Sequence, residues 1–115
     1  MNTERFIEGI KTVVTESSVK GVTSLLISPP GRKPKSELLK MSEFYNKCTE
    51  QEREVIKNII KLSVDNGVFG FLCVLDGVRA IEDNDSKGRF ILTYQSDDEY
   101  VLNQEEDLHE YYNAI

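Results

Sequence analysis

TEQEREVIKNIIKLSVDNGVFGFLCVLDGV, residues 49–78, is the stretch on which the fold turns. Thr49 followed three residues later by Glu52 is a capping box, in which each side chain satisfies an exposed backbone amide of the other. The helix it starts carries Val55, Ile56, Ile59, Ile60 and Ser63 on one stripe. Two readings remain beyond Asn66-Gly67. The pair takes left-handed conformations readily and is a natural stop, which would leave residues 68–75 as a buried strand ending at the Asp76-Gly77 turn. Alternatively the helix runs through Gly67 and Gly70 to about Val78, with Phe71, Val74, Leu75 and Val78 extending the stripe. Continuation is favoured, and an apolar run this dense then predicts a central, mostly buried helix.

Upstream, residues 3–15 place Phe6, Ile7, Ile10, Val13 and Val14 at helical spacing, which predicts an amphipathic helix. Ser17 or Ser18 caps a second, short helix carrying Val19, Val22, Leu25 and Leu26. Gly21 and the β-branched residues leave a strand over 22–27 as the alternative. Ser28-Pro29-Pro30-Gly31-Arg32-Lys33-Pro34-Lys35 continues neither a helix nor a central strand and reads as an extended basic loop. Ser36 then caps a helix that turns Leu38, Leu39, Met41, Tyr45 and Cys48 toward the core.

Downstream, residues 82–88 read as a loop. From Arg89 to Gln95 the residues alternate, with Phe90, Leu92 and Tyr94 on one face and Ile91, Thr93 and Gln95 on the other. Ser96-Asp97-Asp98 is turn chemistry, and residues 99–102 return with Tyr100 and Leu102 on one face, so a β-hairpin is expected. Asn103 and Glu106 form a box-like pair before a short last helix bearing Leu108, Tyr111 and Tyr112. A lone hairpin is unstable in water and must lie on the helices or on another strand. The expected class is α+β: a mainly helical N-terminal two-thirds, a C-terminal antiparallel hairpin and a short last helix, in one domain over residues 1–115.

Charge divides unevenly along the chain. From Glu82 to Ile115 ten carboxylates face only Lys87 and Arg89, about −8, whereas the first 48 residues carry eight Lys or Arg against five Glu, about +3. The net charge of −6 argues against phosphate-backbone binding by the molecule as a whole. Hydrophobic content of 39% and charged content of 30% are those of a globular protein with one core. Cys48 and Cys73 belong to no CxxC or Cys/His cluster, and two lone thiols in a core-forming domain suit a reducing cytoplasm. No signal peptide opens the sequence, and the apolar run Val68 to Leu75 is too short to span a bilayer, so no membrane association is expected.

The chemistry-bearing residues divide into weak sites and one surface. Asp83, Asp85 and Gly88 occupy the first, third and sixth positions of a calcium-loop pattern. Lys87 then stands where an oxygen ligand is required and Tyr94 where a bidentate Glu belongs, so no metal or other cofactor is expected. His109, the single histidine, reads as a helix-surface or helix-end residue with no nucleophile motif to serve. Gly67-Val68-Phe69-Gly70 lacks the spacing and the Lys-Ser/Thr of a phosphate loop; close packing of a neighbouring backbone accounts for its glycines. Arg32, Lys33 and Lys35, with Arg5 or Lys40, make at most a small cationic patch without the interleaved aromatics of a nucleic-acid groove. The surface is acidic: Asp97, Asp98 and Glu99 at the hairpin tip, flanked by Tyr94 and Tyr100, with Glu82, Asp83 and Asp85 toward its other end. Carboxylates steer a cationic partner and tyrosines supply contact area. A solvated acidic face that keeps the chain soluble accounts for the same residues.

Ser28-Pro29-Pro30-Gly31-Arg32-Lys33-Pro34 and the run from Phe69 to Asp83 look like segments of small bacterial proteins. In size and acidity the whole chain resembles bacterial immunity proteins, including those of contact-dependent growth inhibition. That resemblance implies a cytoplasmic protein, not an enzyme, that binds and neutralises one cognate toxin, often a basic nuclease. It transfers no individual residue's role. The alternative is a small self-associating interaction or regulatory subunit, a homodimer formed through the hairpin edge.

Overall fold

The computed structural model describes residues 1–82 and 88–115. The class is the expected one: α+β, mainly helical, with a C-terminal hairpin and a short last helix. In chain order the elements are α1 (Thr3–Ile10), a π-helical segment (Lys11–Glu16), α2 (Ser17–Ile27), α3 (Ser36–Lys47), α4 (Glu50–Leu75), β1 (Thr93–Gln95), β2 (Glu99–Val101) and α5 (Leu108–Ala114).

The first two expected helices are therefore one rod, and no strand forms over 22–27. Asn2 caps its start by accepting from the Arg5 amide at 2.9 Å. The rod widens at Thr12-Val13-Val14-Thr15, four consecutive β-branched residues that crowd an α-helical turn. The wider turn buries Thr15, whose Oγ1 lies 2.6 Å from Tyr112 Oη on α5.

α4 resolves the choice left open at Asn66-Gly67. The capping box forms: the Glu52 amide donates to Thr49 Oγ1 at 3.2 Å, and the Thr49 amide to Glu52 Oε1 at 2.8 Å. The helix passes through Gly67 and Gly70 and excludes the strand. It stops at Leu75 rather than near Val78, because Asp76 closes the last turn and Gly77 takes φ +78°, a conformation that favours glycine. Gly70 does not meet a neighbouring backbone. It leaves room for a side chain, since a Cβ there would sit 2.5 Å from Arg79 Nη1, and a Cβ at Gly67 would meet nothing within 4 Å.

The expected central burial of α4 is overturned. Only Gly70, Leu72 and Cys73 are buried along its 26 residues. The core gathers at one end of the molecule, where Ile7, Leu72, Leu102, Leu108 and Tyr112 join α1, the C-terminal part of α4, the hairpin and α5. By length and composition alone α4 suffices to cross a membrane. Its Asp65, however, accepts from Lys11 Nζ at 3.3 Å and from Tyr112 Oη at 2.8 Å, so its inner face packs against the rest of the chain.

At the other end α2, α3 and the first half of α4 pack together through backbone caps. Asn46 Nδ2 donates to the Leu26 and Ile27 carbonyls at the end of α2. Arg53 donates to the Tyr45 and Asn46 carbonyls at the end of α3. Of the α3 residues expected in the core, Tyr45 is buried and Leu38 and Cys48 are half-buried, but Leu39 and Met41 face outward.

The hairpin is shorter than the alternating pattern implies. Thr93 pairs with Val101, Tyr94 with Tyr100 and Gln95 with Glu99, antiparallel. It rests on the helices through Asn103, which the sequence offers as a cap for the last helix. Asp107 holds that cap position instead. Asn103 is buried and acts as a staple. Its Oδ1 accepts from the Leu92 amide at 2.9 Å, and its Nδ2 donates to the Leu75 carbonyl at 2.9 Å and the Phe90 carbonyl at 3.0 Å. Thr3 Oγ1 adds a buried bond to the Leu102 carbonyl at 2.7 Å.

Candidate interaction surfaces

The acidic surface assembles in part. Tyr94 and Tyr100 sit directly opposite each other and so share one face of the hairpin; both are exposed, at 41% and 39%. Asp97 and Asp98 lie in the turn between the strands and Glu99 opens β2, all three exposed. Two aromatic faces and three carboxylates thus lie within one hairpin tip. Glu82 is exposed and lies away from the tip, beside Arg79, Arg89 and Phe90 in a pocket between the end of α4 and the stretch leading into β1. Asp83 and Asp85 lie outside the described residues, as does Lys87 of the calcium-like pattern.

His109 is not a plain surface residue. Its side chain is 13% exposed, and its Nδ1 lies 2.6 Å from Oδ2 of Asp76, whose side chain is wholly buried. The same oxygen accepts from the His109 backbone amide at 2.8 Å. Asp76 therefore supplies from a distance the capping oxygen that Asp107 does not provide at the start of α5, with a carboxylate's favourable sign at a helix N-terminus. The Phe69 ring meets the imidazole edge-on at 5.8 Å. Asp76, Asp107 and His109 bring one ligand atom each within 4.8 Å of one another, the donor set of a divalent-cation site. Asp76 Oδ2 is engaged twice by His109 at the joint between α4 and α5, while Asp76 Oδ1 is buried and has no hydrogen-bond partner among the described residues.

A second polar cluster surrounds Tyr112. Its hydroxyl donates to Asp65 and receives Thr15, while Lys11 Nζ lies 4.2 Å from its ring centre. Burial raises the Tyr112 phenol above its usual range; Thr15 opposes that shift, and the Asp65 carboxylate reinforces it. Sequence spacing misses this cluster because its four members come from three separate elements.

A third surface went unread in the sequence. Between α2, α3 and α4 lies an open groove of about 430 Å³ lined by Val22, Leu26, Met41, Phe44, Ile56 and Ile60, with almost no polar wall. Alongside it Val55, Ile59 and Leu62 recur at helical spacing on α4, each more than half exposed. The sequence places Val55, Ile56, Ile59 and Ile60 on one stripe and predicts it mostly buried; the fold leaves Val55 and Ile59 exposed, because nothing in the sequence says which stripe the chain itself covers.

No protein-family model, curated protein or solved structure matches this chain. The fold defines it as an α+β protein with a helical body and a projecting acidic hairpin.

Proposed function

We propose that this chain is a non-catalytic binding protein of the immunity type, which neutralises a basic toxin by laying its acidic hairpin across the toxin's cationic cleft. The supporting observation is the tip itself. Asp97, Asp98 and Glu99 stand exposed beside the exposed pair Tyr94 and Tyr100, on a hairpin anchored through Asn103. Exposed carboxylates around tyrosines supply long-range steering together with apolar contact area. The charge of the terminal third, about −8, extends the attraction beyond the contact itself. Such a protein acts in the cytoplasm, where its two cysteines remain free thiols.

The test screens the products of the flanking genes for a basic protein that binds the chain. Its affinity for the chain is measured by calorimetry from low to high salt, with the wild type and with Asp97→Lys/Asp98→Lys. The reading expects affinity to fall with salt and at least tenfold with the double reversal, because close interfacial charges couple by about 1.5 kcal/mol or more. Binding indifferent to both salt and reversal overturns it.

A further inference from the structure

We infer that the apolar face formed by α2, α3 and the first half of α4 is covered by a second copy of the same chain, making the protein an obligate twofold homodimer. The inference is independent of the hairpin reading, since it concerns the opposite end of the molecule.

Three observations carry it. The first is surface area. The chain exposes 8697 Å². A folded monomer of 13.1 kDa exposes about 6,400 Å², so about 2,300 Å² here is in excess. The second is shape. The radius of gyration is 18.2 Å, against about 13 Å for a compact domain of this length. The third is where the apolar residues lie. The five-residue buried cluster sits wholly at the hairpin end. At the other end Phe44 is 66% exposed, Val55 58% and Ile59 57%. Phe44 lines the groove, and Val55 and Ile59 neighbour its Ile56 and Ile60 along α4, whereas Leu62, 63% exposed, lies nearer Lys11 and Tyr112.

The area identifies the occupant. The excess belongs to the whole chain and so sets an upper bound of about 4,600 Å² on what two copies bury, against about 2,000–5,000 Å² for obligate homodimers, whose interfaces resemble a domain core cut in half. A twofold axis brings the same patch against itself, so an apolar stripe such as that of Val55 and Ile59 meets its own counterpart without any need for charge complementarity. A partner that binds through charge gains little from a face with almost no polar wall. A second copy is present whenever the chain is made. The short hairpin strands, three residues each, offer a far smaller edge for self-association.

The test is mass and its dilution profile. Sedimentation equilibrium on the full chain should give twice 13.1 kDa at micromolar concentrations. The thermal midpoint should rise with protein concentration, because only the folded dimer gains from mass action. Ile59→Ala and Phe44→Ala should each weaken the dimer by about tenfold or more, as each removes buried apolar area twice per dimer. Phe44→Glu provides a second variant whose folding is read by circular dichroism: it should yield an unfolded chain or a folded monomer. Asp97→Lys/Asp98→Lys, at the far end, should leave the dimer intact, so failure of the hairpin reading and failure of this one are distinguishable. A monomer at 100 µM with concentration-independent unfolding overturns the inference. So does a dimer unmoved by all three apolar-face variants, a mass above two copies, or a monomer that sediments with phosphatidylcholine vesicles through this face.

Discussion

Replacing Asn103 with alanine should loosen the whole hairpin. Asn103 is buried and makes three bonds to backbone groups of two separate segments, the end of α4 and the stretch leading into β1. Alanine removes them together. Phe90 is exposed, so its carbonyl can turn to water. The Leu92 amide and the Leu75 carbonyl belong to half-buried residues, and each loses its partner. A buried backbone group left unsatisfied costs about 1–3 kcal/mol, so losing the partners of two should cost roughly 2–6 kcal/mol. Against a total stability of about 5–15 kcal/mol this is a large fraction. Urea unfolding at one fixed protein concentration measures the global loss, and amide exchange locates it. The Leu102 amide, which donates to the Leu92 carbonyl at 2.8 Å, should exchange faster than amides in the middle of α4. Asn103→Asp separates the two halves of the staple. It keeps the acceptor for Leu92 but sets a carboxylate against the Leu75 and Phe90 carbonyls, so it should be at least as damaging near neutral pH and milder in acid. A loss below about 0.5 kcal/mol for Asn103→Ala, within the range of ordinary surface changes, refutes the staple.

Other substitutions probe the remaining joints. Leu108 is fully buried in the core cluster, so Leu108→Ala should cost about 2–5 kcal/mol in the same unfolding assay. Tyr112→Phe should cost about 1–2 kcal/mol by leaving Asp65 and Thr15 without their shared hydroxyl. It should also remove an alkaline limb. Because the folded phenol titrates above its usual value, its contribution is complete below about pH 10 and fades as pH rises through the higher folded value. Glu52 behaves with the opposite sign. Bonds from the Thr49 amide and then the Thr49 side chain lower its pKa, so its contribution is present above the ordinary glutamate range and fades as pH falls through the lower folded value. A pH series on Glu52→Gln should lack that acid limb, and an unchanged limb would assign it to other carboxylates.

Local chemistry made much of the fold legible. The Thr49–Glu52 box, the proline loop and the Ser96-Asp97-Asp98 turn each act within a few residues, so spacing alone locates them. Reading α4 through two glycines succeeded because nothing nearby offered the backbone a better arrangement than the helix. The misses share one cause. Asn103 matched a capping pattern that is satisfied locally, but its side chain had three better-placed backbone partners across the fold. His109 looked peripheral because Asp76, its partner, lies 33 positions away. The hairpin tip was legible as a set of residues, and Glu82 lies apart from it beside Arg89 and Phe90, on the approach to β1.

Sequence by itself determined where this chain turns, which segments are helical and that its carboxylates crowd the last third. Those properties follow from backbone stereochemistry and from charges fixed at each position. Only the tertiary structure decided which apolar stripes meet one another. Hydrophobic attraction is non-directional, so Ile59 and Leu72 are equally suited to a core by their chemistry. Packing buried Leu72 among α1, α5 and the hairpin, and left Ile59 on the open face of α2, α3 and α4.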